Sequence, residues 1–161
     1  MKIESIDHRH VIATSETVMF CLWRRETTFD AVRELHAISH RLAERMPGKI
    51  AFLTIVESGA DMVSGPVRDE LVRVFRGVAP SVSCSALVFE GEGFRAAAAR
   101  AVTTTINQLA RQPFPHHVLG RVEAAARWME TKDASIRPKR VSLDVEQIRY
   151  ALDKAAYRPA F

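Results

Sequence analysis

Runs in which nearly every position is apolar recur along the chain, and polar turns separate them. In residues 18–23 both alternating sets are apolar, with Val18, Phe20 and Leu22 on one side and Met19, Cys21 and Trp23 on the other. Strands that are apolar on both sides are typical of a sheet covered by helices on both faces. The pattern predicts strands at residues 10–15, 17–24, 49–57 and 81–90, and a short strand at 116–120.

Amphipathic stretches lie between these strands. Three- and four-residue spacing of mostly apolar positions predicts a helix over residues 27–46, with a cap at Thr27 or Thr28 and one buried stripe of Phe29, Val32, Leu35, Ser39, Leu42 and Met46. Further helices are predicted at about 66–78, 94–112 and 123–131. This order predicts an α/β fold with a mixed, mostly parallel sheet of about five strands flanked by helices. The first two strands should be antiparallel, because the turn at Ser15 and Glu16 is too short for a crossover.

The C-terminal part of the chain differs in character. Residues 132–142 are polar and basic and contain Pro138, which predicts a linker. An amphipathic helix follows at 144–157, with Val145, Ile148, Leu152 and Ala155 on one face. We therefore divide the chain into a domain at 1–131, a basic linker at 132–142, and a C-terminal helix and tail at 143–161. One such helix is not stable alone, so it must dock on its own domain, on a second copy as a homodimer, or on another protein.

The turn after the strand at 49–57 is the segment around which a function is most readily proposed. Residues 58–66 are polar and end in a helix-start signal, with Ser64 as a candidate N-cap and Pro66 in the first turn. Asp69 and Glu70 are expected to favour the positive end of the helix dipole.

Composition and charge limit the function classes. Of the 161 residues 47% are apolar, and no apolar run is long enough for a membrane span. The N-terminus lacks the features of a secretory signal, so we expect a cytoplasmic protein. The net charge is +4. The basic surplus is concentrated at Lys132, Arg137, Lys139 and Arg140, a pattern more typical of a solvated linker than of a nucleic-acid site.

No residue set indicates an enzyme, a metal site or a bound cofactor. Cys21 and Cys84 lie in apolar strands, which favours buried thiols over a disulfide or a nucleophile. Histidines are paired along the chain at positions 8 and 10, 36 and 40, and 116 and 117, but no third metal ligand accompanies them, so we interpret them as surface residues. Ser64 lacks a nucleophile-elbow motif, and the turn at 90–93 lacks a phosphate-loop lysine.

Several segments together resemble the STAS-like domains, in particular the bacterial cytoplasmic group similar to the sporulation anti-sigma-factor antagonist. The segments that carry the resemblance are residues 18–24 with the helix start at Thr27 and Thr28, 50–56, 85–91 with 93–98, and 113–115 with 122–128. They span residues 10–130.

The resemblance implies a small, non-enzymatic regulatory or scaffolding module. Its partner would be another protein, such as a kinase or an anti-sigma-type regulator. In that family a serine or threonine in the turn after the central strand is phosphorylated, and the nearest equivalents here are Ser64 and, as a competing candidate, Ser58. The partner-binding residues it implies are Ser58, Asp61, Met62, Ser64, Gly65, Arg68 and Arg95. The alternative function is a carrier that holds a lipid or small apolar ligand between sheet and helices.

Overall fold

A computed structural model describes residues 1–93, Ala97, Arg100 and residues 113–156. In this part of the chain one sheet carries six strands, and their order in space follows their order in the sequence. The strands are β1 (Lys2–Ile6), β2 (His10–Ser15), β3 (Val18–Trp23), β4 (Ile50–Val56), β5 (Val82–Phe89) and β6 (His116–Leu119). The first three pair antiparallel, and β3 to β6 pair parallel. The predicted mixed, mostly parallel sheet is confirmed.

Helices cover both faces of this sheet. They are α1 (Phe29–Arg45), α2 (Gly65–Val78), α3 (Val122–Glu130) and α4 (Pro138–Ala156). The first two pack on one face, where their buried residues join Met19, Cys21 and Trp23. The other two pack on the opposite face against Phe20 and Leu22. The two apolar sets of β3 therefore belong to two separate cores, as their alternation predicts.

Local signals explain several element ends. Thr28 caps α1, because its side chain accepts a hydrogen bond from the amide of Ala31, and Asp30 lies in the first turn. The hairpin between β2 and β3 turns at Glu16, whose φ is 52°. Gly48, with φ of 71°, follows the end of α1 and leads the chain into β4, as expected where the backbone needs the left-handed region.

The structure corrects the sequence prediction at both ends of the chain. Strand β1 was not predicted, because it lies at the sheet edge and leaves Ile3 and Ile6 more than a third exposed, so backbone pairing rather than burial forms it. Helix α4 begins at Pro138, inside the predicted linker. Proline suits the first turn of a helix, so here it begins the helix six residues before the predicted start at 144. The division at 1–131, 132–142 and 143–161 stays a prediction.

One buried-face prediction is also corrected. Phe29 is 43% exposed, whereas Val32, Leu35 and Ser39 are buried as predicted and are joined by Ala31 and Ile38. The buried stripe of α1 includes Ala31 and Ile38, and Phe29 lies outside it. The helix predicted at 94–112, together with Arg95, and the tail from Tyr157 onward fall outside the described residues, apart from Ala97 and Arg100.

The C-terminal helix packs on the sheet of its own chain. Val141, Val145, Ile148 and Leu152 are at most 3% exposed and share one core with α3 and strands β2 to β5. The sequence left three docking sites open for this helix. The apolar face of α4 docks on its own chain, which is the first of them.

Candidate functional site

Three charged residues stand where three neighbouring strands end. Arg24 follows β3, Glu57 follows β4, and Glu90 follows β5. The sheet pairing continues one step past the strands, since the amide of Glu57 donates to Trp23 and that of Glu90 donates to Val56, both at 2.9 Å. In parallel α/β sheets, loops at the carboxyl ends of strands form the usual binding surface. These three side chains therefore lie at the edge where a function is expected.

Two arginines join these carboxylates to α4. Arg24 Nε is 2.6 Å from Glu57, and its Nη1 is 2.6 Å from Asp153 of α4. Arg149 of α4 lies 2.6 Å from Glu90 and 3.4 Å from Glu57. We call this set of five residues the carboxyl-edge clasp.

The clasp is partly screened from water. Side-chain exposure is 15% for Glu57, 26% for Glu90 and 33% for Arg149, whereas Asp153 at the outer end of the clasp is 60% exposed. The hydrogen bond that Arg24 donates to Glu57 is the main cause that raises the pKa of Arg24, with burial opposing it and the bond to Asp153 adding to it. Charged pairs in such partly buried positions are less screened than exposed ones, so the clasp holds α4 against the loops after β3, β4 and β5.

The turn between β4 and α2 is exposed beside the clasp. Ser58, Asp61, Met62, Val63 and Ser64 all lie on the surface, and Met62 is 57% exposed. The backbone amide of Ala60 donates a hydrogen bond of 2.9 Å to the carbonyl of Glu57, and this bond closes the start of the turn. We call residues 58–65 the corner.

The helix-start prediction at the corner is correct in position and wrong in mechanism. Ser64 is the N-cap residue of α2, but its side chain makes no capping hydrogen bond. Asp69 and Glu70 lie beyond the first turn, which contains no acidic residue, so they are too far along the helix to contribute much to its dipole. The hydroxyl of Ser64 is not used by the cap.

Ser58 lies against the loop after β5. A Cβ built on Gly91 would be 3.2 Å from Ser58 Cβ, and Gly91 has φ of 121°, so a side chain at position 91 would be both strained and crowded. A Cβ on Gly59 would lie 3.9 Å from the carbonyl of Arg24. The loops after β3, β4 and β5 therefore meet at Ser58.

A cleft of about 510 Å³ opens on the α3–α4 side of this edge. Its lining residues are Glu90, Gly120, Arg121, Val122, Glu123, Ser142, Val145, Glu146 and Arg149. Six of these nine are charged or carry a hydroxyl, so the lining is suited to water or polar groups and not to a lipid chain.

The cysteines and histidines are the other candidate reactive residues in the described part of the chain. Both cysteines are free and buried, as predicted, and burial raises the pKa of Cys21 to about 12 and that of Cys84 to about 11. His116, predicted to be solvated, is half-buried, and burial, assisted by the charge of His117, lowers its pKa to about 4. The rings of His36 and His40 lie 4.6 Å apart on α1.

Comparison with known proteins bears on the fold. A search of solved structures matches an uncharacterized DUF3478-family protein with a SpoIIAA-like fold from Shewanella loihica PV-4, with a TM-score of 0.54 and 11% sequence identity, over 74% of this chain and 90% of that chain. The chain has a SpoIIAA-like fold. This confirms the STAS-like resemblance, and at that identity the likeness shows the fold alone. No protein-family model and no curated protein matches the chain.

The SpoIIAA-like fold brings together most of the predicted partner-binding residues. Ser58, Asp61, Met62, Ser64 and Gly65 share the corner, and Arg68 follows in the first turns of α2, where its guanidinium lies 3.5 Å from a Cβ built on Gly65. Their predicted role stays a prediction, and Arg95 lies outside the described residues.

Sequence reasoning missed the clasp. Arg24, Glu57 and Glu90 could have been found by asking which charged residues end neighbouring parallel strands. Arg149 and Asp153 could not, because their place depends on the path of α4. Among the described helices, none is long and apolar enough to cross a membrane.

Proposed function

We propose that this SpoIIAA-like chain is a non-enzymatic regulatory or scaffolding module that binds a protein partner at the corner. The observation that carries the proposal is the exposure of Met62 and Val63, at 57% and 37%, among polar neighbours and beside the carboxyl-edge clasp. Methionine is enriched in protein interfaces and adapts its shape to a partner. An apolar anchor within a polar rim is the usual composition of a protein-binding surface.

We further propose that Ser58 is the switch of this module. Ser58 and Ser64 are both exposed, but Ser58 directly follows Glu57, which is bonded to both clasp arginines. A phosphate would add a charge of about −1.5 to −2 next to that carboxylate and would compete with it for Arg24 and Arg149. Modification at Ser58 would thus change both the charge of the corner and the grip on α4. The modifying partner would be a protein kinase.

The binding proposal is tested with a matched pair of exposed apolar residues. Met62→Asp alters the corner, whereas Leu143→Asp alters α4 at a residue of nearly equal exposure, 57% against 54%. A photo-reactive residue at position 62 would first identify the bound protein by mass spectrometry, and calorimetry with the purified partner would then compare the variants.

We expect Met62→Asp to weaken binding by roughly 10-fold or more, as for loss of an interface anchor, and Leu143→Asp to leave it unchanged. Equal affinities for both variants, or a photo-crosslink obtained from position 143 and none from position 62, would refute the corner as the docking site.

The serine switch has its own test. Affinity for the same partner is compared for Ser58→Asp, Ser58→Ala and Ser64→Asp. We expect only Ser58→Asp to change it. A change with Ser64→Asp and none with Ser58→Asp would transfer the switch to Ser64.

The described residues offer no observation that favours the alternative of a lipid or apolar-ligand carrier, since the cleft at the carboxyl edge is lined mainly by polar groups. A homodimer through α4 would have to use its outer side, where Leu143 and Tyr150 are exposed, because the apolar face packs on the sheet. It stays a prediction that light scattering can check.

A further inference from the structure

A serine, a histidine and an aspartate meet at the first hairpin, away from the corner. His10 Nδ1 lies 3.0 Å from Asp7 Oδ1, and His10 Nε2 lies 3.4 Å from Ser5 Oγ. The sequence interpretation of His10 as a surface residue is wrong, because only 5% of it is exposed and its ring lies 5.3 Å from that of Trp23. One ring nitrogen of His10 thus faces a carboxylate and the other faces a hydroxyl.

The turn holds the aspartate in place. Asp7 Oδ1 accepts the amide hydrogens of Arg9 at 2.7 Å and of His10 at 3.0 Å, and the Arg9 guanidinium bonds to Oδ2. With Nδ1 protonated, the imidazole can donate a hydrogen bond to this fixed carboxylate, and Nε2, 3.4 Å from Ser5 Oγ, is then the nitrogen that can accept a proton. In serine nucleophile sites on unrelated folds, a carboxylate orients the histidine that acts as base in the same way.

His10 is also in the protonation state that a base requires. Burial lowers its pKa below the ordinary value and outweighs the opposing effects of Asp7 and Glu34, while the charge of Arg9 lowers it further. The imidazole is therefore neutral at pH 7, so Nε2 is able to accept a proton.

We propose that Ser5 is an activated nucleophile that accepts an acyl group from activated esters. Ser5 Oγ attacks the acyl carbon, His10 Nε2 takes the hydroxyl proton, and the bond to the leaving group breaks. His10 then gives that proton to the departing oxygen, so an ester on Ser5 and a free alcohol or phenol are formed. Asp7 is a positioning residue in this step.

The surroundings of Ser5 leave it within reach of a small ester. Ser5 is half-buried on β1, which forms the edge of the described sheet, and the pairing of β1 with β2 is irregular between Ile3 and Ser5. Bulges of this kind are common next to reactive sites. Ile3 and Ile6, 37% and 38% exposed, supply apolar surface beside it. The outer side of an edge strand also presents amide hydrogens without a strand partner, the type of donor that an oxyanion needs.

Glu34 of α1 is the competing partner. The Ser5 hydroxyl makes a close hydrogen bond to its carboxylate, and the same carboxylate lies 3.9 Å from His10 Nε2. The Glu34 side chain is 54% exposed, so it is free to turn into solvent when an ester approaches Ser5. Removing its charge should direct the hydroxyl proton towards His10.

The test is acylation of the intact chain by p-nitrophenyl acetate, with the modified residue located by peptide mass mapping. Ser135 is the internal control, because it is exposed and bonded to the carboxylate of Asp133 at 2.6 Å without a described histidine contact. We expect Ser5 to be acylated roughly 100-fold faster than Ser135, the size of a general-base effect. The rate should fall as pH drops through the pKa of His10, which burial places below the ordinary histidine value of about 6.5.

Variants separate a reactive site from a structural network. His10→Gln should reduce acylation of Ser5 to the level of Ser135, and Glu34→Gln should leave it equal or faster, with circular dichroism as the folding control. Equal rates at Ser5 and Ser135 in the unaltered chain would overturn the proposal without any variant. Loss of acylation in Glu34→Gln with retention in His10→Gln would overturn the assignment of His10 as the base.

Discussion

Replacing Leu152 with alanine tests how α4 is held. Leu152 is fully buried, with no exposed surface, and belongs to the core formed with β2 to β5 and α3. Leu143 is the matched control, because it is a leucine of the same helix and is 54% exposed. Both changes alter helix propensity equally, so the difference between them reports packing alone.

The expected magnitudes follow from these burials. A buried leucine changed to alanine loses about 2–5 kcal/mol of unfolding free energy, through lost transfer energy and the remaining cavity. An exposed position away from special features changes it by no more than about 0.5 kcal/mol. We therefore expect Leu152→Ala to be less stable than Leu143→Ala by about 2–4 kcal/mol. For a chain of this size that difference lowers the melting temperature by roughly 5–15 °C.

Urea unfolding measures this difference. Far-ultraviolet circular dichroism would follow the helices, and the fluorescence of Trp23 on the sheet and Trp128 on α3 would follow core packing. Coincident transitions with unchanged slope would show that α4 unfolds together with the sheet. Losses within 0.5 kcal/mol of each other for Leu152→Ala and Leu143→Ala would refute the packing of this face on the core.

Three further predictions concern charge. Arg149→Met should cost about 1–2 kcal/mol of unfolding free energy, because Glu90 loses its bond to Arg149 and Glu57 loses one of its two arginine partners. The loss should shrink in high salt. Arg127→Met, on an exposed part of α3, should cost almost nothing in the same urea titrations. Because the pKa of His116 is about 4 in the folded chain and near 6.5 when unfolded, stability should decline as pH falls from about 6.5 towards 4, by at most about 3 kcal/mol. His116→Gln should flatten that decline, and identical pH slopes would contradict it. Ser58→Asp should make α4 more sensitive to limited proteolysis than Ser64→Asp does, and equal digestion rates would argue against contact between the Ser58 loop and the clasp.

The sheet was predictable because burial on both sides leaves a strong sequence pattern. Residues 50–56 and 18–23 are apolar at nearly every position, and each forms a strand that adjoins its neighbour in sequence order. β1 was not predictable in this way, since an edge strand held by backbone pairing needs no apolar pattern. The start of α4 was misplaced because proline is common both in linkers and in first turns.

The candidate site was likewise predictable only where its signals are local in the sequence. The corner follows from a strand end and a helix-start signal, both local. The clasp depends on contacts such as Arg24 with Asp153, which are 129 residues apart, and nothing in either local sequence indicates the other. Ser5, Asp7 and His10 are near neighbours in the chain, yet only the hairpin, with Ser5 and His10 on paired strands, brings their side chains together.

The strands lie in the sheet in the same order as in the chain, and this order has a consequence during synthesis. Each strand can pair with one that has already left the ribosome, so the sheet can grow from its first hairpin without waiting for distant sequence. One face is the exception, because Phe20, Leu22 and Leu53 stay uncovered by α4 until its last turns emerge. A nascent chain that stalls before residue 152 would therefore expose a large apolar surface. This is the stage at which we expect chaperones to bind it.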